Sequence, residues 1–552
     1  VTVRLIGGEM LNWSDLDGRH GPGPVRGAAL SPLLALARGR TLVAGPHHPD
    51  LLDGLPDGDL TLLVRGVPDA DALAERYRHR PRITVCCGGP EKLPAQPPYD
   101  TVIALDGLRR LASAEGAQLP WAEGLELLLA ALRPGGRLLL GMENLLGLHR
   151  LVALPRERTD TDWGTPEEYD PSRPAGLRRV LAYLDGAGLT VTDSYAGFPG
   201  AYEPTVLLGA DVLADAAITG FLESTLAVAC APAEAVLTDP VRLATDALRH
   251  GMAGELAPGW VLLARRRADD GSDDPDRGSG ARPAAGADPP GGQPPAAVLA
   301  TAEPTGVLRP AAAGGWLRRP AGSAADGVAV PAGPTLWRVL LTACLRHDLP
   351  AVRDLLRDWQ AGNAAGVPAD RLIVEPGGRL VPLAPAGDPA AALRRCAALL
   401  LAGDHPHPWP AATGEAELAA ILAGMAGRDP ASAEPAGAGP GPVVPAGREP
   451  DPAAGSAPGA PGERERRPDM PAFRELVRTR DRLVAELAAA RAAADAWERL
   501  VAERERSLVE ARRTIDLLSA AGPARAGRAL LGGARAARGS ARSVVRRWSG
   551  RG

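Results

Sequence analysis

Five short, almost unbroken apolar runs within the first 150 residues limit what this chain can become. They are TLVAG (41–45), LTLLVR (60–65), RITVCC (82–87), DTVIALD (100–106) and GRLLLGMEN (136–144). Runs this brief and this rich in Val, Ile and Leu suit strands of a parallel sheet covered on both faces. Helix candidates lie between them, at 69–78 and, as WAEGLELLLAAL, at 121–132. The second stops at Arg133-Pro134-Gly135-Gly136, a break leading directly into the next strand. A helix over 175–187 and strands over 191–198, 204–209 and 259–267 continue the alternation. Repeated β-α-β order predicts an α/β fold over residues 1–267, a doubly wound Rossmann-like sheet with ligands at the carboxyl ends of its strands.

Composition organises the remainder. Gly (66) and Pro (55) both exceed ordinary usage, which signals long linkers rather than a larger core. Residues 268–333 are rich in Pro, Gly, Ala and Asp and predict a disordered linker. Periodicity returns over 334–427 as two helices, a hairpin in RLIVEPGGRLVPL turning at Gly377-Gly378, and two more helices. That predicts a small, mostly helical domain. A second linker covers 428–470.

Residues 471–520 carry heptads. One series runs Phe473, Arg480, Leu487, Ala494, Val501, and another three residues on runs Leu476, Leu483, Ala490, Trp497. Such a seam predicts a coiled coil, and so a homo-oligomer or a helical partner; the alternative is a solitary amphipathic helix on the protein's own surface. The tail, 521–552, holds Arg525, Arg528, Arg535, Arg538, Arg542, Arg546, Arg547 and Arg551 and no acid. Contact with an anionic membrane surface is expected of it. A net charge of −4 argues against nucleic-acid binding by the whole chain. Five scattered cysteines, no charged-then-apolar leader at Val1 and no run of about 18 apolar residues point to the cytoplasm.

The segment YDTVIALDGL, a helix, then LLLAALRPGGRLLLGMEN resembles the fourth strand, connecting helix and fifth strand of class I S-adenosylmethionine-dependent methyltransferases. GMENLLGLHRL is similar to a subgroup associated with bacterial surface-glycan assembly. The resemblance covers about residues 25–267. It implies a methyltransferase sheet, S-adenosylmethionine as cofactor, and methyl transfer to a sugar or glycan-linked small-molecule substrate.

The same resemblance points to residues. Gly45 and His47 stand in the first loop, and GGPEKLP puts Gly89 and Glu91 in a turn that touches the adenine end of the cofactor. Asp106 ends a strand at the ligand edge, where it would bind cofactor or cap the following turn. Glu143 and Asn144 end the fifth strand and are candidate catalytic groups. His149 would act as a base or lie on an exposed helical turn. No metal is expected: adjacent His47 and His48 in an extended segment point opposite ways.

Two departures stand against activity. The glycine-rich first loop is reduced to Ala44-Gly45-Pro46-His47. The acid that should receive the ribose hydroxyls at the end of the second strand is Arg65, which cannot accept a hydrogen bond. Asp69 is the nearest carboxylate. These departures support a second expectation, a catalytically inactive methyltransferase fold serving as an assembly or scaffold subunit through its coiled coil.

Overall fold

The computed structural model describes residues 3–430, apart from 20, 94–97, 114, 117–118, 154–169, 232–235, 269–292, 324–325, 404, 411 and 413, together with residue 512. Apart from residue 512, the coiled coil expected over 471–520, the tail at 521–552 and nearly all of the linker at 428–470 lie outside the described residues. Residues 3–430 belong to one compact unit, Val1–Gly441.

Thirteen strands among the described residues form one sheet. They are β1 (Val3–Gly7), β2 (Thr41–Ala44), β3 (Leu60–Val64), β4 (Ile83–Gly88), β5 (Tyr99–Ala104), β6 (Leu132–Glu143), β7 (Leu189–Phe198), β8 (Val206–Gly209), β9 (Gly259–Arg266), β10 (Ala297–Leu299), β11 (Gly306–Pro310), β12 (Trp316–Pro320) and β13 (Val328–Ala329). Their spatial order is β1-β4-β3-β2-β5-β6-β9-β7-β8-β10-β11-β12-β13. From β1 to β6 every pairing is parallel. From β6 to β13 every pairing is antiparallel. The sheet is therefore mixed, a parallel core with an antiparallel extension.

The alternation of side chains explains the layering. Along β2, Leu42 and Ala44 join the apolar layer containing the helices Trp121–Ala131 and Leu177–Gly186, while Val43 joins the opposite layer containing Leu51, Ala70 and Leu73. Both faces are thus covered, which is why the core strands read as continuous apolar runs. Strand order reverses at β2: the chain passes from β2 to β3 and β4 on one side, then crosses to β5 on the other. Such a switch point leaves a crevice outside the carboxyl ends of β2 and β5.

The linker expected over 268–333 is corrected in its second half. Residues 297–329 contribute β10 to β13, and β10 extends the sheet from β8 with Ala297, Val298 and Leu299 opposite Leu208, Leu207 and Val206. These strands are two to five residues long and depend on their neighbours for pairing, so little of them shows in composition. The helical part follows as Leu336–Leu345, Leu349–Ala361, Pro389–Ala402 and Glu415–Met425, with a hairpin of β14 (Leu372–Val374) and β15 (Leu380–Pro382). It has its own core around Trp359 and Leu356. It also bonds to the sheet part, Arg371 donating to the Ser224 carbonyl at 3.1 Å and Arg338 pairing with buried Glu223 at 3.1 Å. No helix among the described residues is long and apolar enough to cross a membrane.

Candidate functional site

The crevice at the switch point is lined by the protein's own N-terminal segment. Past β1 the chain turns across the carboxyl edge of the sheet before reaching β2. It is held there at both ends by backbone bridges. The Met10 amide donates to the Arg65 carbonyl at 2.8 Å, and the Val67 amide to the Met10 carbonyl at 3.0 Å, just beyond β3. The Val25 amide donates to the Pro46 carbonyl at 3.0 Å, and the His48 amide to the Val25 carbonyl at 2.9 Å, just beyond β2.

Side chains fasten the stretch between. Arg65 forks onto Asp15, with Nε and Nη2 each 2.7 Å from a carboxylate oxygen, and its Nη1 donates to the Ala112 carbonyl at 2.9 Å. The guanidinium lies over the Trp13 ring, 5.7 Å from its centroid. Burial would raise the Asp15 carboxyl, but the bonds and charge of Arg65 outweigh it and hold it below the usual range. Asp69 accepts from the Ser14 hydroxyl and from the Asp15 amide at 2.8 Å. Burial nonetheless lifts its carboxyl above the usual range. Gly66 is required by closeness: a Cβ there would overlap the Trp13 carbonyl oxygen.

The first loop is filled from within. Gly45 adopts φ +90°, open to glycine at little cost, and a Cβ would meet Asp106 and Leu111. His47 is 2% exposed and bridges the two strand ends at the switch point. Its Nδ1 lies 3.0 Å from the Gly45 carbonyl and its Nε2 accepts from the Leu105 amide at 3.2 Å, which fixes the proton on Nδ1. Burial depresses its pKa to about 4. His48 faces outward and caps the helix Pro49–Asp53 through the Asp50 amide.

Asp106 is ion-paired with Arg110, whose Nε lies 2.9 Å from Oδ2. Burial penalises the Arg110 charge, but Asp106 offsets that and holds the guanidinium above its usual range. Arg110 also donates to the carbonyls of Pro22 and Gly23, so Asp106 anchors the N-terminal segment through it. The turn after β4 places Gly89 against β1, its amide donating to the Gly7 carbonyl at 3.0 Å, and the Glu91 carboxylate folds back over Gly89.

At the end of β6 two groups part company. Asn144 is buried, and its amide nitrogen donates to the carbonyls of Glu255 (2.8 Å) and Ala257 (2.9 Å) while its oxygen accepts from the Leu146 amide. Its side chain organises the turn. Glu143 accepts from His149 Nε2 at 2.9 Å, Arg150 Nε at 2.8 Å and the Tyr202 hydroxyl at 3.1 Å. Burial would raise its carboxyl, but the bonds from His149 and Arg150 dominate and hold it at about 2. Tyr202 in turn lies under Arg110, 5.6 Å from its ring centroid. Gly45, Asp106 and Glu143 thus share one edge, linked through Arg110 and Tyr202. No cluster of metal-ligating residues occurs among the described residues.

No protein-family model matches the sequence, and neither does any curated protein. Solved structures of methyltransferases do. The CurJ carbon methyltransferase is 16% identical over 42% of this chain at a TM-score of 0.24, and this chain spans half of its length. The N-methyltransferase NodS from Bradyrhizobium japonicum WM9 is 11% identical over 43% of this chain and 92% of its own, with a TM-score of 0.24. The glycopeptide N-methyltransferase MtfA, solved with S-adenosylmethionine, is 14% identical over 48% of this chain and 93% of its own, again at 0.24.

Sequence reasoning missed Trp13, Asp15, Arg110 and Tyr202. One signal for Asp15 was present: an arginine replacing a carboxylate at a strand end needs an acid, and WSDLD supplies two in the unassigned N-terminal stretch.

Proposed function

We propose that this chain is a methyltransferase-like protein that does not transfer methyl groups and acts as an assembly subunit. One observation carries the reading: residues 10–19 and 21–25 lie across the carboxyl ends of β2 and β3, engaging Arg65, Asp69, His47 through the Val25 bridge and, through Arg110, Asp106. The residues present do not fit S-adenosylmethionine. The ribose carboxylate is replaced by Arg65, already paired with Asp15, and Asp69 and Asp106 are bonded to the chain itself. The heptads of 471–520 supply the association surface in this reading, and the basic tail an accessory contact with an anionic membrane. Calorimetric titration of the full chain with S-adenosylmethionine and with its demethylated product tests it. No heat at millimolar ligand is expected; micromolar affinity would overturn it.

A second reading, methyl transfer to a sugar or glycan-linked hydroxyl, draws on one feature. Glu143 holds His149 by Nε2, and the opposite nitrogen, Nδ1, is buried without a hydrogen-bond partner among the described residues. A carboxylate-backed imidazole is suited to take a proton from a hydroxyl. The same titration separates the two readings.

A further inference from the structure

Between the sheet and the helical part lies a cavity of about 630 Å³, within the range of small-molecule sites. Phe221, Leu299 and Leu383 contribute apolar wall, and Arg318, Arg371 and Arg395 line it from three separate elements. Their charges are unequally met. Arg395 forks onto buried Asp370, at 2.7 Å for its shortest contact. Arg371 reaches only neutral oxygens, the Ser224 carbonyl at 3.1 Å and hydroxyl at 3.3 Å. Arg318, on β12, makes no ion pair or hydrogen bond among the described residues, and its side chain crosses the face of Gly306. The one acid on the wall, Asp388, caps the helix Pro389–Ala402 through the amides of Ala390 and Ala391 and lies 3.5 Å from Arg394.

Arg318 and Arg371 thus face a partly apolar cavity with no carboxylate among the described residues bonded to either, which leaves donors open to an anion. Planar guanidinium forks match phosphate oxygens in pairs, which a point-charge cation does not. We infer that this cavity binds a small organic molecule carrying a phosphate group, with Arg318 and Arg371 on the phosphate and the apolar wall on its body. Burial lowers the Arg371 pKa below its usual range, against the pull of Asp370, consistent with a cation whose charge is incompletely met. The site is remote from the switch-point crevice and does not depend on whether that crevice binds a cofactor.

The probe is phenyl phosphate, titrated into the full chain at constant ionic strength and followed by calorimetry and thermal unfolding. Saturable binding with a rise in melting temperature is expected, tighter than for inorganic phosphate, and absent for phenol. Arg371→Gln and Arg318→Gln should each weaken it at least tenfold. Because Arg371 also bonds Ser224, Arg371→Gln can lose stability by itself; Arg318 has no such bond, so Arg318→Gln should fold as the parent does and still lose binding. Phenyl phosphate that acts no differently from chloride, or that binds Arg318→Gln as tightly as the parent, would overturn the assignment. Equal affinity for inorganic phosphate would overturn the role of the apolar wall.

Discussion

The Nε2 of His47 accepts a hydrogen bond from the Leu105 amide at 3.2 Å, joining the end of β2 to the end of β5 across the switch point. A neutral imidazole therefore stands where open doubly wound sheets admit ligands. Together with the N-terminal segment over Arg65 and Asp69, it turns a ligand edge into a packed one.

The His47 bond sets a pH dependence. Its folded pKa, about 4, lies below the ordinary 6.5, so the folded state binds fewer protons than the unfolded one between these values. Stability from this group is complete above about pH 6.5 and is lost as pH falls towards 4. The slope allows about 2 kcal/mol between pH 6.5 and 5. Urea unfolding at pH 7 and pH 5 should show that loss in the parent and much less of it in His47→Leu, which starts less stable because the Leu105 amide is unpaired. Equal losses in both would place the titrating group elsewhere.

Gly66→Ala tests how tightly the segment is seated. Gly66 has φ −93° and ψ 131°, which alanine adopts freely, so its whole effect comes from the overlap with Trp13. Overpacking of this kind costs about 1–3 kcal/mol. Thermal unfolding should fall accordingly, and trypsin should cut faster at the exposed Arg19. No change in either would mean that the segment yields freely.

Much of the fold was legible because the core strands are buried on both faces. All five expected strands in the first 150 residues appear, as β2 to β6, and the late strands appear as β7, β8 and β9. Their apolar runs record burial directly. The antiparallel direction of β9 could not be read, since a buried strand looks the same either way. β1 and β10 to β13 were missed because strands of two to five residues take their stability from neighbours rather than from their own residues.

The edge was legible, and the contacts along it were not. Asp106 and Glu143 could be placed at the carboxyl ends of β5 and β6 from their position after apolar runs. Asn144 looked equally chemical, yet its amide closes a turn with residues 255–257, more than a hundred positions away. Arg65 stood out as an anomaly, while its partner Asp15 lies 50 residues earlier in a stretch without periodicity.

Arg65 and Asp15 should be strongly coupled. Asp15 is only 3% exposed, so removing Arg65 strands a buried carboxylate, at a cost of about 3–5 kcal/mol. Arg65→Ala should therefore destabilise more than Arg65→Ala combined with Asp15→Asn. A double-mutant cycle in urea measures this. Additive effects would show that the fork contributes no more than an exposed pair.

The heptads at 471–520 predict that association rests on the tail. Linkers rich in Pro and Gly transmit little structure. Truncation after residue 470 should give a monomer by light scattering, with unchanged thermal unfolding of residues 1–441, while the full chain is oligomeric at tens of micromolar. A truncated oligomer, or a monomeric full chain, would contradict the expectation.

Hydrogen exchange at the amides of Met10, Asp15, Val25 and His48 tests the central claim most directly, since each donates a hydrogen bond that exists only while the N-terminal segment lies on the sheet edge. Exchange as slow as in β2 and β3 is expected, unaltered by millimolar S-adenosylmethionine. Rapid exchange at these four amides beside a protected sheet, or a change in their exchange on adding the cofactor, would contradict it.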